Sequence, residues 1–597
     1  MADSRKQIEA LDYHSDGKPG KIEVRPTKPY STQRDLALAY SPGVAEPCKK
    51  IADDKDLAYK YTAKGNLVAV ISNGTAVLGL GDIGPEASKP VMEGKGLLFK
   101  IFADIDVFDI EVDAKDVDRF VDTVKAIAPT FGGINLEDLK APECFEIERR
   151  LKEELNIPIM HDDQHGTAII SSAALLNALE LAGKNINEIN IVVNGAGASA
   201  MACIKLYVSL GAKKSNIVMC DSQGAIRKDR AELNKYKAEF ATDKDVSTLA
   251  ESMKGADVFL GLSKGNIVSG AMIKSMAENP IVFALANPDP EIPYKEALAA
   301  RKDIIMATGR SDHPNQVNNV LGFPFIFRGA LDVRATTINE EMKLAAVKAI
   351  AKIAKEPVPE EVNEAYGSRN LSFGRDFIIP KPMDPRLLMT IAPAVAKAAI
   401  ASGVAQQPIK DWGKYKLDLS RRLGLDNKLI KNMTEIAQGK PKRIVFAEAD
   451  NYKVLKAAQI VKDESIAIPI LLGNHERINR LIEENNLELD GVEIINPKDE
   501  ERNEQRYSYG DVFFKKRQRR GLTQYEARHR MRDRNHFGAM MVEQGDADAL
   551  ISGITRNFPE TIRPALQVIG TQKGVNKIAG MYILITKADL FSLPIQQ

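Results

Sequence analysis

The chain of 597 residues contains few cysteines, no long apolar run and no excess of either charge. Its four cysteines lie at Cys48, Cys144, Cys203 and Cys220. None of them belongs to a C-x-x-C pair, which argues against a disulfide framework and against a structural zinc site. No apolar run approaches the roughly 20 residues that span a bilayer, and the polar opening MADSRKQIEA is unlike a signal peptide. We therefore expect a cytoplasmic protein without a membrane partner.

The balance of charges argues against a general attraction to nucleic acid or to anionic lipid. Lysine and arginine number 82, and aspartate and glutamate number 81, which gives a formal net charge of +1. A local exception is the basic run Lys515–Arg520, which is followed by further arginines as far as Arg534. This run is consistent with a solvated helix face or with a patch that binds phosphate or acyl-CoA.

The length of the chain exceeds what one hydrophobic core supports, so about three or four domains are expected. Residues 1–155 combine short apolar strands with helical runs and glycine-rich turns. Residues 156–401 are expected to form a Rossmann-like domain with a proline-punctuated helical extension. Residues 402–427 are expected to be a linker, and residues 428–597 begin a further α/β unit.

The pattern of the second segment predicts a doubly wound parallel sheet. Short and nearly continuous apolar strands alternate with helical stretches, as is typical of parallel strands covered on both faces. The predicted strands are Ile189–Asn194, Asn216–Asp221, Ala256–Leu262, Pro280–Ala286 and Asp303–Ala307. The chain is therefore assigned to the α/β class.

A glycine-rich turn lies between the first of these strands and the helix that follows. Its residues are Gly195, Ala196, Gly197, Ala198, Ser199 and Ala200, a G-x-G-x-x-A pattern. Gly195 permits a tight turn, Gly197 lets a pyrophosphate approach the backbone, and the helix N-terminus faces the anion. Because Asp221 follows roughly 20 residues later, at the end of the next strand, we expect this segment to bind a dinucleotide.

The choice between NAD and NADP stays open at this level. Asp221 is expected to bind the 2′-hydroxyl of the NAD ribose and to repel the 2′-phosphate of NADP. Arg227 and Lys228 follow closely in the chain and are able to neutralise that phosphate.

The segment His161–Thr167, HDDQHGT, follows a short apolar strand and precedes an apolar helix predicted over Ala168–Leu181. Two adjacent carboxylates repel each other unless a positive group holds them, and hard divalent cations such as Mg²⁺ and Mn²⁺ prefer oxygen ligands. A second acidic pair, Glu137 and Asp138, lies upstream. Acidic residues beside a redox-cofactor loop suggest metal-assisted dehydrogenation.

Simpler interpretations of these residues exist. Glu137 and Asp138 would equally suit the cap of a helix that begins after Leu139. His161 and His165 are interpreted as structural, because a cation that prefers oxygen does not need an imidazole ligand.

The motifs of residues 1 to about 400 resemble those of the malic enzymes in order and spacing. The matching segments are Tyr40–Ala45, Gly79–Gly84, Glu93–Lys95, Glu137–Asp138, His161–Thr167, the glycine-rich turn, Ala286–Pro288 and Asn318–Asn319. Residues 430–597 resemble the opening part of a phosphate acetyltransferase through Arg443–Phe446 and Asp546–Gly553. The combination is similar to the bacterial hybrid type of malic enzyme, for which NADP is the commoner cofactor.

The resemblance implies a role for each matching side chain. The implied metal ligands are Glu137, Asp138 and Asp163. The implied catalytic residues are Lys95, the base for the malate 2-hydroxyl, Asp162, which orients Lys95, and Tyr40, which protonates enolpyruvate. Asn287 and Asn319 would contact the substrate and the nicotinamide. A lysine base must be neutral for part of the time, and partial burial and a nearby metal charge are both expected to lower its pKa.

One position departs from the family pattern. Longer-chain malic enzymes carry an arginine that clamps a substrate carboxylate just before the Leu-Gly-Leu-Gly run. The corresponding place in this chain is Thr75-Ala76-Val77, without a cation. Other groups are therefore expected to hold the substrate carboxylate.

The resemblance implies that malate and NADP give pyruvate, CO₂ and NADPH with Mg²⁺ or Mn²⁺, in a homo-oligomer. The C-terminal segment is expected to bind acetyl-CoA as an effector or to build an oligomer interface, without acetyl transfer, because the chain ends before the downstream part of that fold. The alternatives are an NAD-dependent malic enzyme, a dehydrogenase that does not decarboxylate, and a catalytically silent scaffold. The scaffold is disfavoured because no implied catalytic position is replaced.

Overall fold

The computed structural model describes residues 2–15, 17–77, 79–231, 233–367, 371–423, 428–485, 487–571, 580–585 and 590–595. The chain divides into two compact units, Met1–Leu423 and Gly424–Gln597. Among the described residues, no helix is both long and apolar enough to cross a membrane.

The first unit begins with a parallel sheet of four strands in the order β2-β1-β3-β4. Its strands are β1 (Leu67–Ser72), β2 (Asp106–Glu111), β3 (Gly133–Leu136) and β4 (Ile159–His161). The helices of this part are α1 (Ala2–Ser15), α2 (Gln33–Ala39), α3 (Ala45–Asp53), α4 (Ala58–Tyr61), α5 (Pro85–Ala103), α6 (Val117–Ile127) and α7 (Glu143–Glu154). All six residues of β1 are buried, as expected for a central strand covered on both faces.

The first sheet extends beyond the boundary predicted at residue 155. Its last strand, β4, pairs with β3 through Ile134 and Ile159 and through Leu136 and His161. The sequence-based boundary was therefore placed too early, because a strand of three residues between two helices is too short to show a periodic pattern.

A second sheet of six strands has the order β10-β9-β8-β5-β6-β7, parallel except for the β6–β7 pair. Its strands are β5 (Ile191–Asn194), β6 (Ile217–Asp221), β7 (Gly224–Ala225), β8 (Val258–Gly261), β9 (Ile281–Ala284) and β10 (Ile305–Thr308). The five longer strands lie within or overlap the five predicted ones, and the doubly wound α/β fold is confirmed. The strand order reverses at β5, so the carboxyl end of β5 is the expected place for a bound nucleotide.

The helices of this part are α8 (Asp162–Ala182), α9 (Ala198–Ser209), α10 (Lys235–Ala238), α11 (Leu249–Met253), α12 (Gly270–Ser275), α13 (Tyr294–Ala300), α14 (Phe323–Asp332), α15 (Glu340–Lys355), α16 (Glu360–Ala365), α17 (Arg386–Ala401) and α18 (Trp412–Arg422). Helix α8 is buried along most of its length and packs against α9 and α15 in the main core. This helix therefore holds the residues at its N-terminus rigidly in place.

Helix α18 contradicts the linker predicted over residues 402–427. Its Tyr415 and Leu419 are buried in the main core, and the Tyr415 hydroxyl donates a hydrogen bond of 2.7 Å to Asp332. Only these two of its eleven residues are buried, so the sequence of this helix is as polar as that of a linker.

The second unit contains a parallel sheet in the order β13-β12-β11-β14. Its strands are β11 (Lys442–Phe446), β12 (Ala467–Leu472), β13 (Glu493–Ile495) and β14 (Ala549–Ile551), followed by the antiparallel pair β15 (Gly580–Ile585) and β16 (Leu590–Ile595). Its helices are α19 (Lys428–Gly439), α20 (Tyr452–Asp463), α21 (His475–Glu484), α22 (Asn503–Arg517), α23 (Gln524–Arg530), α24 (Arg534–Gln544) and α25 (Phe558–Val568).

The basic run of the second unit lies at the mostly exposed end of α22 and in the turn after it. Lys516 of this run pairs with Glu543, and among the arginines that follow it Arg528 pairs with Asp511 and Arg534 with Asp450. These ion pairs favour a solvated helix face over a dedicated anion patch.

Candidate active site

The acidic motif HDDQHGT forms the first turns of a helix. Helix α8 begins at Asp162, six residues before the predicted start at Ala168, so Asp162 and Asp163 both lie in its first turn. Carboxylates are favoured there, because the free N–H groups and the dipole give a helix N-terminus a positive potential. The sequence prediction was wrong at this boundary, because polar residues at the start of a buried helix resemble a loop.

Three carboxylates converge at the carboxyl edge of the first sheet. Oxygen atoms of Glu137, Asp138 and Asp163 all lie within 4.8 Å of one another. Glu137 and Asp138 directly follow β3, and the backbone N–H of Asp138 donates to the Asp163 carboxylate at 2.8 Å. Neither residue caps a helix, since α7 begins at Glu143.

The carboxyl groups of this cluster lie so close together that they raise one another's pKa values. Burial, together with repulsion from neighbouring carboxylates, raises the pKa of Glu137 to about 8 and the pKa values of Asp138 and Asp163 to about 7. One buried oxygen of Asp138, Oδ2, has no hydrogen-bond partner. A set of converging buried oxygens with an unpaired acceptor fits a hard divalent cation, which would relieve the repulsion.

Lys95 projects from α5 to the edge of this cluster. Its ammonium lies 2.5 Å from Asp162 and 2.7 Å from Glu137, and it stands 4.3 Å from the centroid of the Phe323 ring. Burial alone lowers the pKa of Lys95, as expected from the sequence, but Asp162, Glu137 and Asp163 outweigh burial and raise that pKa above its ordinary value. The sequence predicts a net lowering of the Lys95 pKa, and this lowering does not occur with these carboxylates beside the ammonium.

Asp162 connects Lys95 to the substrate-facing amide of Asn319. The Asn319 side chain donates to the Asp162 carboxylate at 3.2 Å and accepts from the Thr167 hydroxyl at 3.1 Å. Asp162 is fully buried. Both the Lys95 ammonium and the Asn319 amide are thus held by one carboxylate on a rigid helix.

A cavity of about 690 Å³ opens beside these groups. It is lined by Lys95, Glu137, Asp138, Asp163, Thr167, Ser263, Lys264, Asn287, Asn318 and Asn319, among others. The structure therefore brings together nearly all of the metal, base and amide positions expected from the sequence.

The glycine-rich turn borders a second cavity of about 780 Å³. Gly195 has a φ of +126°, and a Cβ atom there would lie 2.4 Å from the carbonyl oxygen of Leu262, so only glycine fits. No atom lies within 4 Å of a Cβ built on Gly197, which leaves room for a ligand. The cavity is lined by Asn194, Gly195, Ala196, Asp221, Gln223, Lys237, Thr248, Leu262, Ser263, Lys264 and Ile267, among others.

The two cavities share part of their lining. Leu262, Ser263 and Lys264, which follow β8, line both. A dinucleotide bound over the glycine-rich turn would therefore extend towards the carboxylate cluster, as transfer between a cofactor and a substrate requires.

Asp221 lies at the end of β6 with two basic partners that the sequence analysis did not identify. Its carboxylate accepts bonds of 2.7 Å from both Arg230 and Lys237. Burial alone raises the pKa of Asp221, but these two cations hold that pKa well below its usual range. Arg227 and Lys228, expected near this position, instead pair with Asp229 and Asp243 respectively, among other partners.

Tyr40 follows α2 and is 77% exposed. It is not among the residues that line either cavity in the described part of the chain. The structure thus leaves this expected acid away from the other site residues.

Of the two histidines of the motif, His161 is fully buried and the side chain of His165 is 17% exposed. Burial lowers the pKa of His161 to about 4 and that of His165 to about 3. His165 Nε2 lies 3.0 Å from Glu148, and Lys343 contacts His165 Nδ1 at 3.1 Å. Both histidines lie outside the carboxylate cluster.

Comparisons with known families match three consecutive parts of the chain. Residues 19–152 match the malic enzyme N-terminal domain, and residues 164–365 match the malic enzyme NAD-binding domain. Residues 428–593 match the phosphate acetyl/butaryl transferase family. An NAD-binding domain with the cleft described above supports a nicotinamide cofactor.

Individual relatives match over nearly the whole chain. An NADP-dependent malic enzyme of Salmonella typhimurium is 53% identical over 98% of this chain and 77% of its own length. An NAD-dependent malic enzyme of Rhizobium meliloti is 51% identical over 97% of this chain and 76% of its own. The crystal structure of a malic enzyme from Pyrococcus horikoshii is 43% identical, covers 72% of this chain and 99% of its own, and has a TM-score of 0.65. The chain therefore belongs to the malic enzyme family.

Proposed function

We propose that this chain catalyses the oxidative decarboxylation of malate to pyruvate and CO₂ with reduction of NADP. The observation that carries the proposal is the cluster of Glu137, Asp138 and Asp163, which lies beside Lys95 in a cavity that shares its lining with the nucleotide cleft. Such a site places an alcohol, a base and a hydride acceptor side by side.

We propose Glu137, Asp138 and Asp163 as the ligands of one Mg²⁺ or Mn²⁺ ion. Their oxygen donors and mutual repulsion fit a hard cation, and a bound cation of this kind acidifies a coordinated hydroxyl and polarises a carbonyl. Its charge would also offset the carboxylates that hold Lys95 protonated.

Lys95 is proposed to accept the proton of the malate 2-hydroxyl as the C2 hydride passes to the nicotinamide. Asp162 and Glu137 hold the Lys95 nitrogen in place, and Asn319 shares Asp162 with it. Loss of the carboxylate beta to the new carbonyl then gives CO₂ and enolpyruvate, which takes a proton at C3. Tyr40 as the donor of that proton stays a prediction from the family resemblance.

The substrate carboxylate needs a partner other than the missing arginine. Thr75 donates to Asn73 and accepts from the Lys140 backbone, so it serves the local turn. Among the described residues that line the substrate cavity, the cations are Lys95 and Lys264. Because Lys95 is engaged by carboxylates, we propose that Lys264 and the amide of Asn287 hold the anionic groups.

The preference for NADP rests on the two cations at Asp221. Arg230 and Lys237 compensate the Asp221 charge that would otherwise repel a 2′-phosphate, and Lys237 lines the nucleotide cleft. Replacing Lys237 by Met should raise the KM for NADP about tenfold or more and change the KM for NAD much less. An equal change for both cofactors would favour the NAD-dependent alternative.

The second unit is proposed to bind acetyl-CoA as an effector or to contribute to assembly. The support is its match to a transferase family that handles acyl groups and the retained parallel sheet. Calorimetric titration with acetyl-CoA, combined with malate kinetics in its presence, tests the effector role. Absence of binding together with unchanged kinetics would remove it.

The proposed reaction is tested by initial rates with malate and each cofactor, with and without Mn²⁺, coupled to a measurement of released CO₂. We expect CO₂ and NADPH in equal amounts, and only with Mn²⁺ or Mg²⁺. NADPH without CO₂ would indicate a dehydrogenase that does not decarboxylate, and no turnover in any condition would indicate a scaffold.

A further inference from the structure

A third cavity lies along helix α8, apart from the two cavities of the active site. Its volume is about 270 Å³, and it is formed by residues of α7, α8, α9 and α15, together with Tyr236 and Glu239. None of its lining residues belongs to the substrate cavity or to the nucleotide cleft. This cavity is therefore separate from the proposed metal ligands and from the cleft proposed for the dinucleotide.

One wall of this cavity carries buried polar groups with incomplete pairing. Gln164 is 4% exposed, and its Nε2 has no hydrogen-bond partner. Lys343 is 9% exposed, donates to His165 Nδ1 at 3.1 Å and has a carboxylate no closer than Glu340, at 3.8 Å. A buried hydrogen-bond donor without an acceptor costs free energy. The presence of such donors in a cavity wall therefore indicates a bound acceptor.

The charge of the lining is slightly positive. Of its four cations, Arg149, Lys152 and Lys205 have carboxylate partners within 3.3 Å, whereas Lys343, the most buried of the four, has Glu340 at 3.8 Å. Burial and the charge of Lys152 lower the pKa of Lys343 to about 8, which shows that the carboxylates around it do not fully compensate its charge. An anion would complete this compensation.

The lining also includes apolar side chains. Phe145 and Tyr236 lie with ring centroids 4.5 Å apart, and Met201 and Leu206 extend the same surface. An apolar cavity of about 150 Å³ holds benzene, so the volume of this cavity suits an aromatic ring with one polar substituent.

We propose that this cavity binds a small carboxylate with an apolar body, about the size of benzoate, through Gln164 and Lys343. The carboxylate accepts from the unpaired amide and the buried ammonium, and the apolar body lies against Phe145 and Tyr236. Support for this binding site does not depend on the reaction proposed above.

The binding site is tested by calorimetric titration of the full chain with benzoate, in the presence of saturating malate so that the substrate cavity is occupied. We expect one site per chain with a Kd of about 1 mM, as is usual for a ligand of this size. Benzyl alcohol, which lacks the charge, should bind at least about tenfold more weakly.

Two variants locate the binding. Lys343→Met removes the charge, and Ala202→Leu fills the cavity without changing any polar group; each should weaken benzoate binding at least about tenfold. Lys348→Met, an exposed lysine on the same helix, is the matched control and should bind as the unmodified chain does. No saturable binding, or binding retained in both cavity variants, would overturn the proposal.

We further infer that the occupied cavity changes the affinity of the carboxylate cluster for a cation, which rests on the cation site proposed above. Glu148, in the cavity wall, accepts from the backbone N–H of His161, next to Asp162. The Kd for Mn²⁺, measured by electron paramagnetic resonance, should change about fivefold or more when benzoate is present. An unchanged Mn²⁺ affinity contradicts the coupling, whereas no Mn²⁺ binding contradicts the cation site and leaves the calorimetric result to decide the cavity.

Discussion

At the scale of single residues, the proposed chemistry depends on a lysine held by acidic neighbours. Lys95 is 9% exposed and contacts two carboxylates, and the adjacent acidic cluster has one oxygen without a partner. A buried lysine in such surroundings is a base only when a further positive charge opposes those carboxylates. The carboxylates that suit the site to a cation therefore also make the proposed base, Lys95, depend on that cation.

Replacing Lys95 by Ala should lower kcat by about a thousandfold or more, because the proton acceptor is lost. Cofactor affinity should stay the same, because Lys95 does not line the nucleotide cleft. Steady-state rates and fluorescence titration with NADPH measure the two effects. Lys100→Ala, an exposed lysine on the same helix, is the control, and full activity in Lys95→Ala would reject the base.

At the scale of elements, the N-terminus of α8 determines the geometry of the site. Its first turn carries Asp162 and Asp163, and the next turn carries Gly166 against the Asp162 carboxylate. A Cβ atom on Gly166 would lie 2.2 Å from Asp162 Oδ1 and 2.9 Å from the Asn319 side chain. Glycine is therefore required at this position for close packing of side chains.

Gly166→Ala should lower kcat by about a hundredfold, because Asp162 must move away from Lys95 and Asn319. Alanine otherwise favours a helix over glycine by about 1 kcal/mol, so the free energy of unfolding should change little. Kinetics and thermal unfolding test both statements. Gly439→Ala, where no atom lies within 4 Å of the added Cβ, should alter neither, and an unchanged kcat in Gly166→Ala would contradict the packing argument.

Helices α7 and α8 are joined by the buried carboxylate of Glu148. Burial alone raises its pKa, but Lys152, Lys343 and the hydrogen bond from His165 Nε2 outweigh burial and hold the pKa of Glu148 well below its ordinary value. Because the folded-state pKa is lowered, this carboxylate stabilises the fold above the unfolded pKa of about 4.3. That stability is lost as the pH falls through the lower folded-state pKa.

Glu148→Gln should therefore destabilise the first unit by about 2 kcal/mol at neutral pH. The difference in Tm between the unmodified chain and the variant should be constant from about pH 6 to pH 8 and narrow below about pH 4. Calorimetric scans across this range measure it. Glu153→Gln, an exposed glutamate of the same helix, serves as control, and a difference in Tm that widens in acid would contradict the stabilising role of the ionised carboxylate.

At the scale of the whole molecule, the structure separates a unit that contains both active-site cavities from a unit with its own parallel sheet. The Pyrococcus horikoshii enzyme corresponds over 99% of its length to 72% of this chain, which is close to the extent of the first unit. We therefore expect the first unit to contain what the chemistry needs.

A chain shortened after Leu423 should keep the kcat for malate within about threefold, because all the proposed active-site residues precede that point. Rates are compared with those of the full chain, and the subunit number is measured by light scattering. A variant that is well folded by circular dichroism yet inactive would show that the second unit is needed for catalysis.

The sequence predicted those parts of the fold and the site that short patterns encode. Five of the six strands of the second sheet and the glycine-rich turn were found because their periodicity and spacing are local. Arg230 and Lys237 were missed, because they follow Asp221 by nine and 16 residues and only folding shows which cations reach its carboxylate. The role of Glu148 was missed for a similar reason, since its partner His165 comes from another helix.

The central claim is that three carboxylates hold one cation beside the base. A crystal structure of the full chain grown with Mn²⁺, with anomalous data, tests it most directly. We predict one anomalous peak with oxygens of Glu137, Asp138 and Asp163 at about 2.1 Å. The absence of a peak between these side chains at saturating Mn²⁺, in protein that turns over malate, would contradict it.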